Sequence, residues 1–465
     1  TGYDLVVLGS GPAGEKGAIQ AAALGKRVAL VEKEAVFGGA AAHTGTLPSK
    51  TLRETALYLS GLRQRGLHGV DLGLAREADL DDFLFHAAAV SRAEHQRIAG
   101  DLARHGVQCL QGEGAFEDPH TIVVRAPTGT RRLRTEHVLI ATGSSPHRPE
   151  GFVFDHERVY CSDQIVDVHM LPRTMAVVGA GVIGCEYASL FAALGTRVLL
   201  IDGRERVLPF LDAEVSTALA REMERIGVQI RLGQQVARAA AKDAGVDMEL
   251  APSGEHLMVD LVLVAAGRVP GTAALALDKA GLVPGRRGVL EVDADYRSAV
   301  PHIYAAGDVI GSHGLASTAA EQGRIAVMHM FGRKYRSALP EVLPYGIFTI
   351  PEVSMAGETE DSLKAKGVDY VVGRARLAEN ARGRIIGETG FLKLLFARAD
   401  QKLLGVHLMA EGATELVHIG LVALLIGATA EHFLQVCFNY PTISMAYQTA
   451  AEDALETHLA SFTAS

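Results

Sequence analysis

The chain has 465 residues, too many for one hydrophobic core, so about two to four domains are predicted. Its net charge of −9 comes from scattered acidic and basic residues, which argues against nucleic acid or an anionic membrane as partner. No stretch approaches the roughly 20 apolar residues that cross a bilayer, and no signal-peptide pattern precedes the first apolar run. We therefore expect a cytoplasmic protein, without stable membrane insertion, that acts on small molecules.

The cysteines and the longest apolar run carry two further expectations. The cysteines are widely spaced, and neither a Cys-x-x-Cys motif nor a His/Cys cluster predicts a metal site or redox pair. Each is expected to be a small buried residue: Cys109, Cys161, Cys185 and Cys437. The apolar run from Ile419 to Ala428 is too short for a membrane span and predicts a buried helix.

The first segment of the chain predicts a β-α-β unit. An apolar run from Tyr3 to Leu8 ends at the glycine-rich turn Gly9 to Gly14. An alanine-rich helix is predicted over about Glu15 to Leu24, and a second strand follows over Arg27 to Val31. That strand ends on an acidic residue, Glu32.

The same pattern returns about 170 residues later. A strand over Met175 to Val178 leads into the turn Gly179 to Gly184, and a helix is predicted to about Leu194. The strand Arg197 to Ile201 then ends on Asp202, at the same distance from the last glycine as in the first unit. The repeat predicts two dinucleotide folds in tandem.

Each glycine of such a turn has its own physical task. The first permits the tight turn, the second lets a pyrophosphate approach the backbone, and the third lets helix and strand pack closely. The helix N-terminus attracts the anion, and the acid at the end of the second strand can accept hydrogen bonds from a ribose diol. Glu32 and Asp202 are the predicted acids.

Three later strands complete the predicted organisation. The run His137 to Ile140 ends at Ala141-Thr142-Gly143, and Leu261 to Val264 leads to a turn at Gly267. Each is expected to close one nucleotide domain. The segment Ile303 to Asp308 predicts a return to the first domain. From about Leu343 the pattern alternates strands with two helices and has no glycine fingerprint, so a third domain is predicted.

The motifs at Gly9 to Gly14, Ala141 to Gly143, Gly267-Arg268 and Ala306 to Asp308 resemble those of the two-dinucleotide-binding-domain flavoproteins, class I of the pyridine nucleotide-disulfide oxidoreductase family. The resemblance spans nearly the whole chain. It implies an α/β fold with two tandem Rossmann-like domains, one for FAD and one for NAD(P), and an α+β C-terminal dimerisation domain. The implied borders are 1–148 with 278–342 for the FAD domain, 149–277 for the NAD(P) domain and 343–465 for the interface domain of a homodimer.

The same resemblance implies a set of site residues. FAD and NAD(H) or NADP(H) are the expected cofactors, with no metal. Hydride is expected to pass from NAD(P)H through flavin to a second acceptor. The implied cofactor-binding residues are Gly9, Gly11, Pro12, Ala13, Gly14, Glu32, Lys33, Gly39, Thr46, Lys50, Gly114, Ala115, Ala141, Thr142, Gly143, Gly179, Gly181, Val182, Ile183, Gly184, Glu186, Asp202, Gly203, Arg204, Gly267, Arg268, Gly307, Asp308, Leu315, Ala316 and Ser317.

Catalytic roles are implied for Lys50, Glu186, His43 and Tyr440. Lys50 and Glu186 resemble the pair that lies near the reactive flavin nitrogen and could stabilise the reduced, anionic ring. The alternative for this pair is a helix-surface lysine and a glutamate favoured by a helix dipole. His43 either faces the disulfide side of the flavin or is an ordinary loop histidine.

The chain departs from the family at its redox centre. Family members that reduce disulfides have cysteines at the positions of Ala41 and Thr46, and a histidine and a glutamate at Tyr440 and Met445. Without a thiolate, neither a charge-transfer pair nor thiol-disulfide exchange can form here. Four replacements on both sides of one implied site predict a different reaction, and a decayed enzyme is the plainer alternative.

Within the family, the segments around His43, Glu186 and Tyr440 most resemble the soluble pyridine nucleotide transhydrogenase branch. The predicted acceptor is therefore a second pyridine nucleotide. A quinone is the alternative acceptor, and a dihydrolipoamide dehydrogenase-like protein without disulfide activity and a nucleotide-sensing flavoprotein are further alternatives. Coenzyme choice is divided, because Asp202 disfavours a 2′-phosphate whereas Arg204 and Arg206 could bind one. We expect NADH use with some tolerance of NADPH.

Overall fold

A computed structural model describes residues 2–61, 80–311, 314–333 and 338–463. The strands in these ranges are β1 (Gly2–Leu8), β2 (Val28–Glu32), β3 (Gln108–Gln111), β4 (Glu113–Asp118), β5 (Thr121–Ala126), β6 (Gly129–Ile140), β7 (Ser144–Pro146), β8 (Val159–Cys161), β9 (Thr174–Val178), β10 (Arg197–Asp202), β11 (Val228–Leu232), β12 (Gln235–Lys242), β13 (Gly245–Ala251), β14 (His256–Val259), β15 (Leu261–Val264), β16 (Arg268–Pro270), β17 (Ile303–Ala305), β18 (Tyr345–Ile347), β19 (Val353–Gly357), β20 (Tyr370–Arg376), β21 (Phe391–Ala397) and β22 (Leu403–Met409).

The α-helices in the same ranges are α1 (Pro12–Ala23), α2 (Gly39–His43), α3 (Thr46–Leu59), α4 (Leu80–Arg104), α5 (Val182–Ala193), α6 (Ala213–Arg225), α7 (Ala316–Met330), α8 (Glu360–Lys366), α9 (Ala381–Ile386), α10 (Ala413–Leu425), α11 (Ala430–Gln435) and α12 (Ala446–Thr463). None of the described helices combines the length and the apolar character that a bilayer crossing requires.

Two sheets share one order of parallel strands, and in the first sheet the antiparallel strands β5 and β4 continue from β6. The first reads β3-β2-β1-β6 with β17 beside the C-terminal end of β6, and the second reads β11-β10-β9-β15-β8. The central strands are buried along nearly their whole length, because helices and antiparallel strands cover both faces. The strands of the β-α-β unit, β1 and β2 in the first sheet and β9 and β10 in the second, lie inside their sheets, as the repeat in the sequence predicts. β17 pairs with β6 in parallel, so the segment Ile303–Ala305 lies in the first sheet.

The third domain is a five-stranded antiparallel sheet in the order β18-β19-β22-β21-β20. The prediction of two helices here was wrong, because the described residues after 343 form the five helices α8 to α12. The three missed helices are short. Each begins at a polar N-cap residue, Thr359, Asn380 or Thr429, and none depends on a long apolar stripe.

A buried charge cluster joins the second nucleotide fold to the third domain. Lys393 on β21 is fully buried, and its Nζ lies 2.8 Å from Asp212 Oδ1 and 2.9 Å from Glu214 Oε2. Glu360 is its third partner. Asp212 also caps the N-terminus of α6. Because a buried ammonium is costly without partners, this cluster fixes the second fold against β21.

Two expectations about burial need correction. Cys161 and Cys185 are buried as predicted, but Cys109 is half-buried and Cys437 is exposed, because it lies in the segment after α11. The apolar run at α10 is not buried within the chain. One face packs on the sheet through Val417 and Ala423, whereas Ile426, just beyond the helix, is 72% exposed. The run thus presents an uncovered apolar surface.

Candidate functional site

The first glycine-rich turn has the geometry that its sequence predicts. Gly9 adopts φ +99°, and a Cβ there would clash with the carbonyl oxygen of Ala141. A Cβ on Gly14 would clash with the carbonyl oxygen of Gly9, because α1 packs tightly against β1. Gly11, by contrast, has nothing within 4 Å of an ideal Cβ. The middle glycine therefore leaves open space directly before the N-terminus of α1.

The second turn repeats this geometry. Gly179 adopts φ +110°, and a Cβ there would lie 2.5 Å from the carbonyl oxygen of Ala265. A Cβ on Gly184 would clash with the carbonyl oxygen of Gly179. At Gly181 the nearest atom is the Arg204 guanidinium, 4.0 Å away. Both turns thus fit a pyrophosphate, since open space and the backbone N–H groups of a helix N-terminus coincide at each.

The two terminal acids have different partners. Glu32 is buried and accepts hydrogen bonds from the backbone N–H and the hydroxyl of Ser10, at 2.9 and 2.6 Å. Its other oxygen accepts the backbone N–H of Glu34. Asp202 accepts the backbone N–H of Ala180 at 2.6 Å, and Arg204 Nε and Nη2 donate to its two oxygens. Among the described residues, a cationic side chain therefore pairs with Asp202 and none pairs with Glu32.

The Arg204 guanidinium helps to keep Asp202, at the second turn, ionised. Burial alone would raise the pKa of Asp202, but hydrogen bonds from Arg204 and from the Ala180 N–H hold it below its usual range. Asp202 is therefore ionised at neutral pH. Arg206, which the sequence also offered for a 2′-phosphate, instead donates to Asp361 at 3.3 Å and to the Pro209 carbonyl oxygen at 3.0 Å. Of the two arginines, only Arg204 lies beside Gly181.

Lys50 and Glu186 meet, as the resemblance implies. Lys50 Nζ on α3 lies 2.6 Å from Glu186 Oε2 on α5, so the ion pair joins the two nucleotide folds. The other carboxylate oxygen of Glu186 accepts the backbone N–H of Phe348 at 2.9 Å. The Phe348 ring lies 5.0 Å from Lys50 Nζ. Glu186 is thus fixed from two sides, and it holds the lysine ammonium in one place.

The segment between Gly39 and Lys50 carries no thiol. Ala41 lies on α2, and Thr46 is the first residue of α3 and is exposed. His43 contacts the Val36 carbonyl oxygen at 3.2 Å, and its ring lies 4.2 Å from that of His95 on α4. Neither contact leads to the Lys50–Glu186 pair.

Tyr440 lies apart from that pair within one chain. Its side chain is 75% exposed, and in the described residues it makes no hydrogen bond or ring contact with Lys50 or Glu186. The segment that follows it is anchored within the third domain, where Asn380 donates to the Thr442 carbonyl oxygen. One chain therefore does not bring the four implied catalytic residues together.

The remaining implied residues lie around the two turns. Gly39 would place a Cβ 2.9 Å from Gly11 Cα, so α2 begins against the first turn. An ideal Cβ on Gly114, which precedes Ala115 on β4, would lie 2.9 Å from the Leu8 side chain. Lys33 is exposed, beside Glu34.

Other members of the set end or begin elements at the same edges of the sheets. Gly143 and Gly267 have positive φ after β6 and β15, Gly307 precedes Asp308 after β17, and Leu315 caps α7, which starts with Ala316 and Ser317. Pro12, Ala13, Val182 and Ile183 form the first turns of α1 and α5, Thr142 follows β6, and Gly203 packs against Gln235. Sequence reasoning missed Ser10 and Ser144, although each directly follows a fingerprint glycine.

Two nucleotide folds joined by an ion pair define an oxidoreductase that handles two dinucleotides. The family model described as pyridine nucleotide-disulphide oxidoreductase matches residues 3–323, and the model of that family's dimerisation domain matches residues 343–451. The chain belongs to the pyridine nucleotide-disulphide oxidoreductase family. The expected cofactors, FAD and NAD(P)H, are those of this family.

Relatives and solved structures agree with this assignment. The chain is 45% identical over 458 residues to the soluble pyridine nucleotide transhydrogenase of Mycobacterium bovis BCG, covering 97% of both chains. It is 41% identical to the protein of the same name from Enterobacter sp. 638, covering 97% of this chain and 98% of that one. Its structure is similar to LpdA from Mycobacterium tuberculosis, with TM-score 0.88 and 30% identity over 96% of this chain and 98% of that one. It is also similar to the flavoprotein disulfide reductase RclA from Escherichia coli, with TM-score 0.88 and 26% identity over 97% and 99%.

Proposed function

We propose that this chain is an FAD-dependent oxidoreductase that passes hydride from one pyridine nucleotide to another without a redox-active disulfide. The observation that carries the proposal is the Lys50–Glu186 pair, which joins the two nucleotide folds beside a segment where Ala41 and Thr46 stand in place of cysteines. The two transhydrogenases at 45% and 41% identity support the same reaction.

The two turns divide the cofactors between them. We assign FAD to residues 1–148 and 278–342 and NAD(P)(H) to residues 149–277, with 343–465 as the interface domain. Gly11 and the N-terminus of α1 would hold one pyrophosphate, and Gly181 and the N-terminus of α5 the other. Bound FAD supplies a carrier that accepts hydride from a reduced nucleotide and returns it to an oxidised one.

The chain contributes charge and position to this reaction. Lys50 Nζ donates one hydrogen bond to Glu186 at 2.6 Å and a longer one, at 3.3 Å, to the Ser49 hydroxyl. Its third N–H has no acceptor among the described residues and would be available to a bound ring. A fixed ammonium stabilises negative charge that develops there, and it needs no reorganisation because Glu186 already orients it. Positioning and electrostatics are therefore the protein's main contributions.

Use of both coenzymes is supported by the Asp202–Arg204 pair. Asp202 can accept hydrogen bonds from the ribose diol of NADH. Arg204 is 48% exposed and can turn its guanidinium toward a 2′-phosphate, because its fork suits that group as well as a carboxylate. One turn can thus serve both nucleotides, which a transhydrogenase requires.

A steady-state acceptor comparison tests the proposal. The FAD-loaded protein is given NADPH with thio-NAD⁺, a soluble quinone, glutathione disulfide or oxidised lipoamide in separate reactions. We expect thio-NAD⁺ to be reduced fastest and neither disulfide to turn over, since no thiolate is available. Disulfide turnover at rates typical of disulfide reductases, or a quinone that clearly outruns thio-NAD⁺, would contradict the assignment.

A homodimer is part of the proposal. The chain carries the family's dimerisation domain, and an apolar surface at Val422, Leu425 and Ile426 is exposed within it. Light scattering at micromolar concentration should give twice the chain mass, and a stable monomer with full activity would refute the dimer. A cytoplasmic location remains a prediction.

A further inference from the structure

A continuous chain of hydrogen bonds links four polar side chains, from Asp163 and Arg268 in the second nucleotide fold to Ser144 and Asp308 in the first. Arg268 is the first residue of β16, which pairs with β7 in a two-stranded link between the folds. Its Nη1 donates to Asp163 Oδ1 at 2.7 Å, and its Nε donates to the Ser144 hydroxyl at 2.8 Å. The Ser144 hydroxyl then donates to Asp308 Oδ2 at 2.6 Å.

The direction of this path is fixed by the chemistry of its donors. A guanidinium can only donate, so the Ser144 oxygen must accept from Arg268. The single hydroxyl proton is then left for Asp308. Arg268 Nη2 also donates to the Ser144 carbonyl oxygen at 2.8 Å, so the serine is held at both its backbone and its side chain. Ser144 therefore presents its proton to Asp308 in one orientation.

The backbone of Asp308 is fixed independently. Gly307 adopts φ +81° and donates its N–H to Gln322 Oε1 at 2.8 Å, and its ideal Cβ would lie 3.4 Å from the Cβ of Ala13 on α1. Asp308 thus follows a strand end beside the first glycine turn. Ser144 occupies its Oδ2, and no hydrogen bond from the described residues reaches its Oδ1. One oxygen is held while the other is left for a ligand.

We propose that Arg268 is a positioning residue that acts through Ser144 to orient Asp308 toward FAD bound beside the first glycine turn, with Asp163 holding Arg268. The inference rests on the proposed function only in taking FAD as the ligand of the first fold. It places a determinant of FAD retention on the second fold, where the Arg268 fork would otherwise serve only to join two domains.

The test follows FAD release from the loaded protein by the rise of free-flavin fluorescence after dilution. The variants are Ser144→Ala, Arg268→Met and their double mutant. Both substitutions break the same hydrogen-bond chain from Arg268 through Ser144 to Asp308. We therefore expect each single variant to release FAD about tenfold faster, and the double mutant to release it at the same rate as the single variants. Arg297→Met is the control. The ion pair that Arg297 makes among the described residues is with nearby Asp293 on the surface, so this variant should release FAD like wild type.

Two conservative variants keep the test decisive if a variant folds poorly. Ser144→Thr retains the hydroxyl and should restore slow release, whereas Asp163→Asn should have a smaller effect, because Arg268 keeps both bonds to Ser144. If these residues only join the domains, the variants should have a lower melting temperature and unchanged FAD release, and that result would overturn the inference. Effects on the release rate that multiply in the double mutant would also overturn it, because they would show that Ser144 and Arg268 act independently.

The readout also separates this inference from the proposed function. Normal FAD retention in the Ser144 and Arg268 variants, with hydride transfer intact in the wild type, would refute the inference alone. Slow hydride transfer in a wild-type protein that retains FAD would refute the proposed function and leave the inference standing.

Discussion

The two nucleotide folds have the same backbone and different electrostatics. In both, the first glycine has positive φ, the third packs against the first, and the middle one faces open space. They differ at the acid that ends the second strand. In the part of the chain that the structure describes, Glu32 accepts hydrogen bonds from Ser10 and the Glu34 backbone N–H, whereas Asp202 pairs with the Arg204 guanidinium. The same backbone geometry thus occurs twice, and the Arg204 side chain is what distinguishes the second turn from the first.

The largest expected effect comes from filling the open space at each middle glycine. Gly11→Val and Gly181→Val should both fold, because Gly11 and Gly181 have negative φ and room for a Cβ. Each should lose affinity for its own nucleotide on the order of 1,000-fold, or about 4 kcal/mol. FAD content of the purified protein measures the first variant, and NADPH reduction of an FAD-loaded sample measures the second.

If either valine variant loses affinity for the nucleotide of the other turn instead, the two turns do not act as separate sites. A Gly184→Ala variant provides the steric control, since its Cβ would clash with the carbonyl oxygen of Gly179. The Gly184→Ala variant should fold poorly and have a lower melting temperature than wild type, whereas Gly181→Val should not.

The ion pair between the folds should matter next. Lys50→Met removes the ammonium while keeping most of the side-chain volume, and hydride transfer should slow about 100-fold through lost electrostatic stabilisation. Rapid reduction by NADPH, followed by absorbance at 450 nm, checks this. FAD content should not change. A variant with wild-type rates would show that the Lys50–Glu186 pair only holds the folds together.

The Arg204 fork should distinguish the coenzymes. Arg204→Met should raise KM for NADPH about tenfold, because a charge-assisted hydrogen bond contributes about 1.5–3 kcal/mol, and should change KM for NADH less than about twofold. Arg206→Met is the matched control, since Arg206 is bound to Asp361, and its coenzyme preference should equal that of wild type. An equal loss of NADPH use in both variants would contradict the assignment to Arg204.

The smallest effect is expected from neutralising each acid. Asp202→Asn frees Arg204 and removes a negative charge, so the ratio of NADPH to NADH efficiency should rise about fivefold, which corresponds to about 1 kcal/mol. Glu32→Gln should leave that ratio unchanged and speed FAD release a few-fold instead. Steady-state kinetics with both coenzymes tests the pair, and a shift of the ratio by Glu32→Gln would remove the distinction between the folds.

The sequence predicted the parts of this molecule that local rules determine. The glycine turns, the strands that enter them and the acids Glu32 and Asp202 follow from spacing alone. The Lys50–Glu186 contact spans 136 residues and was accessible only through resemblance.

The parts that escaped prediction depend on tertiary neighbours. Arg268 and Ser144 are 124 residues apart, and their contact exists only because β16 pairs with β7. The turn of Arg206 toward Asp361 likewise depends on how α8 lies beside the second fold. Short helices such as α8 rely on a polar cap rather than on a repeating apolar pattern, which is why the count of helices was wrong.

One two-step rapid-mixing measurement tests the central claim most directly. The FAD-loaded protein is reduced anaerobically with one equivalent of NADPH, and the reduced protein is then mixed with thio-NAD⁺, a quinone or glutathione disulfide. We predict that thio-NAD⁺ reoxidises the flavin fastest, with thio-NADH formed in equal amount. Slow reduction of the flavin by NADPH, or reoxidation by the disulfide as fast as by thio-NAD⁺, would contradict a thiol-free exchange of hydride between two pyridine nucleotides.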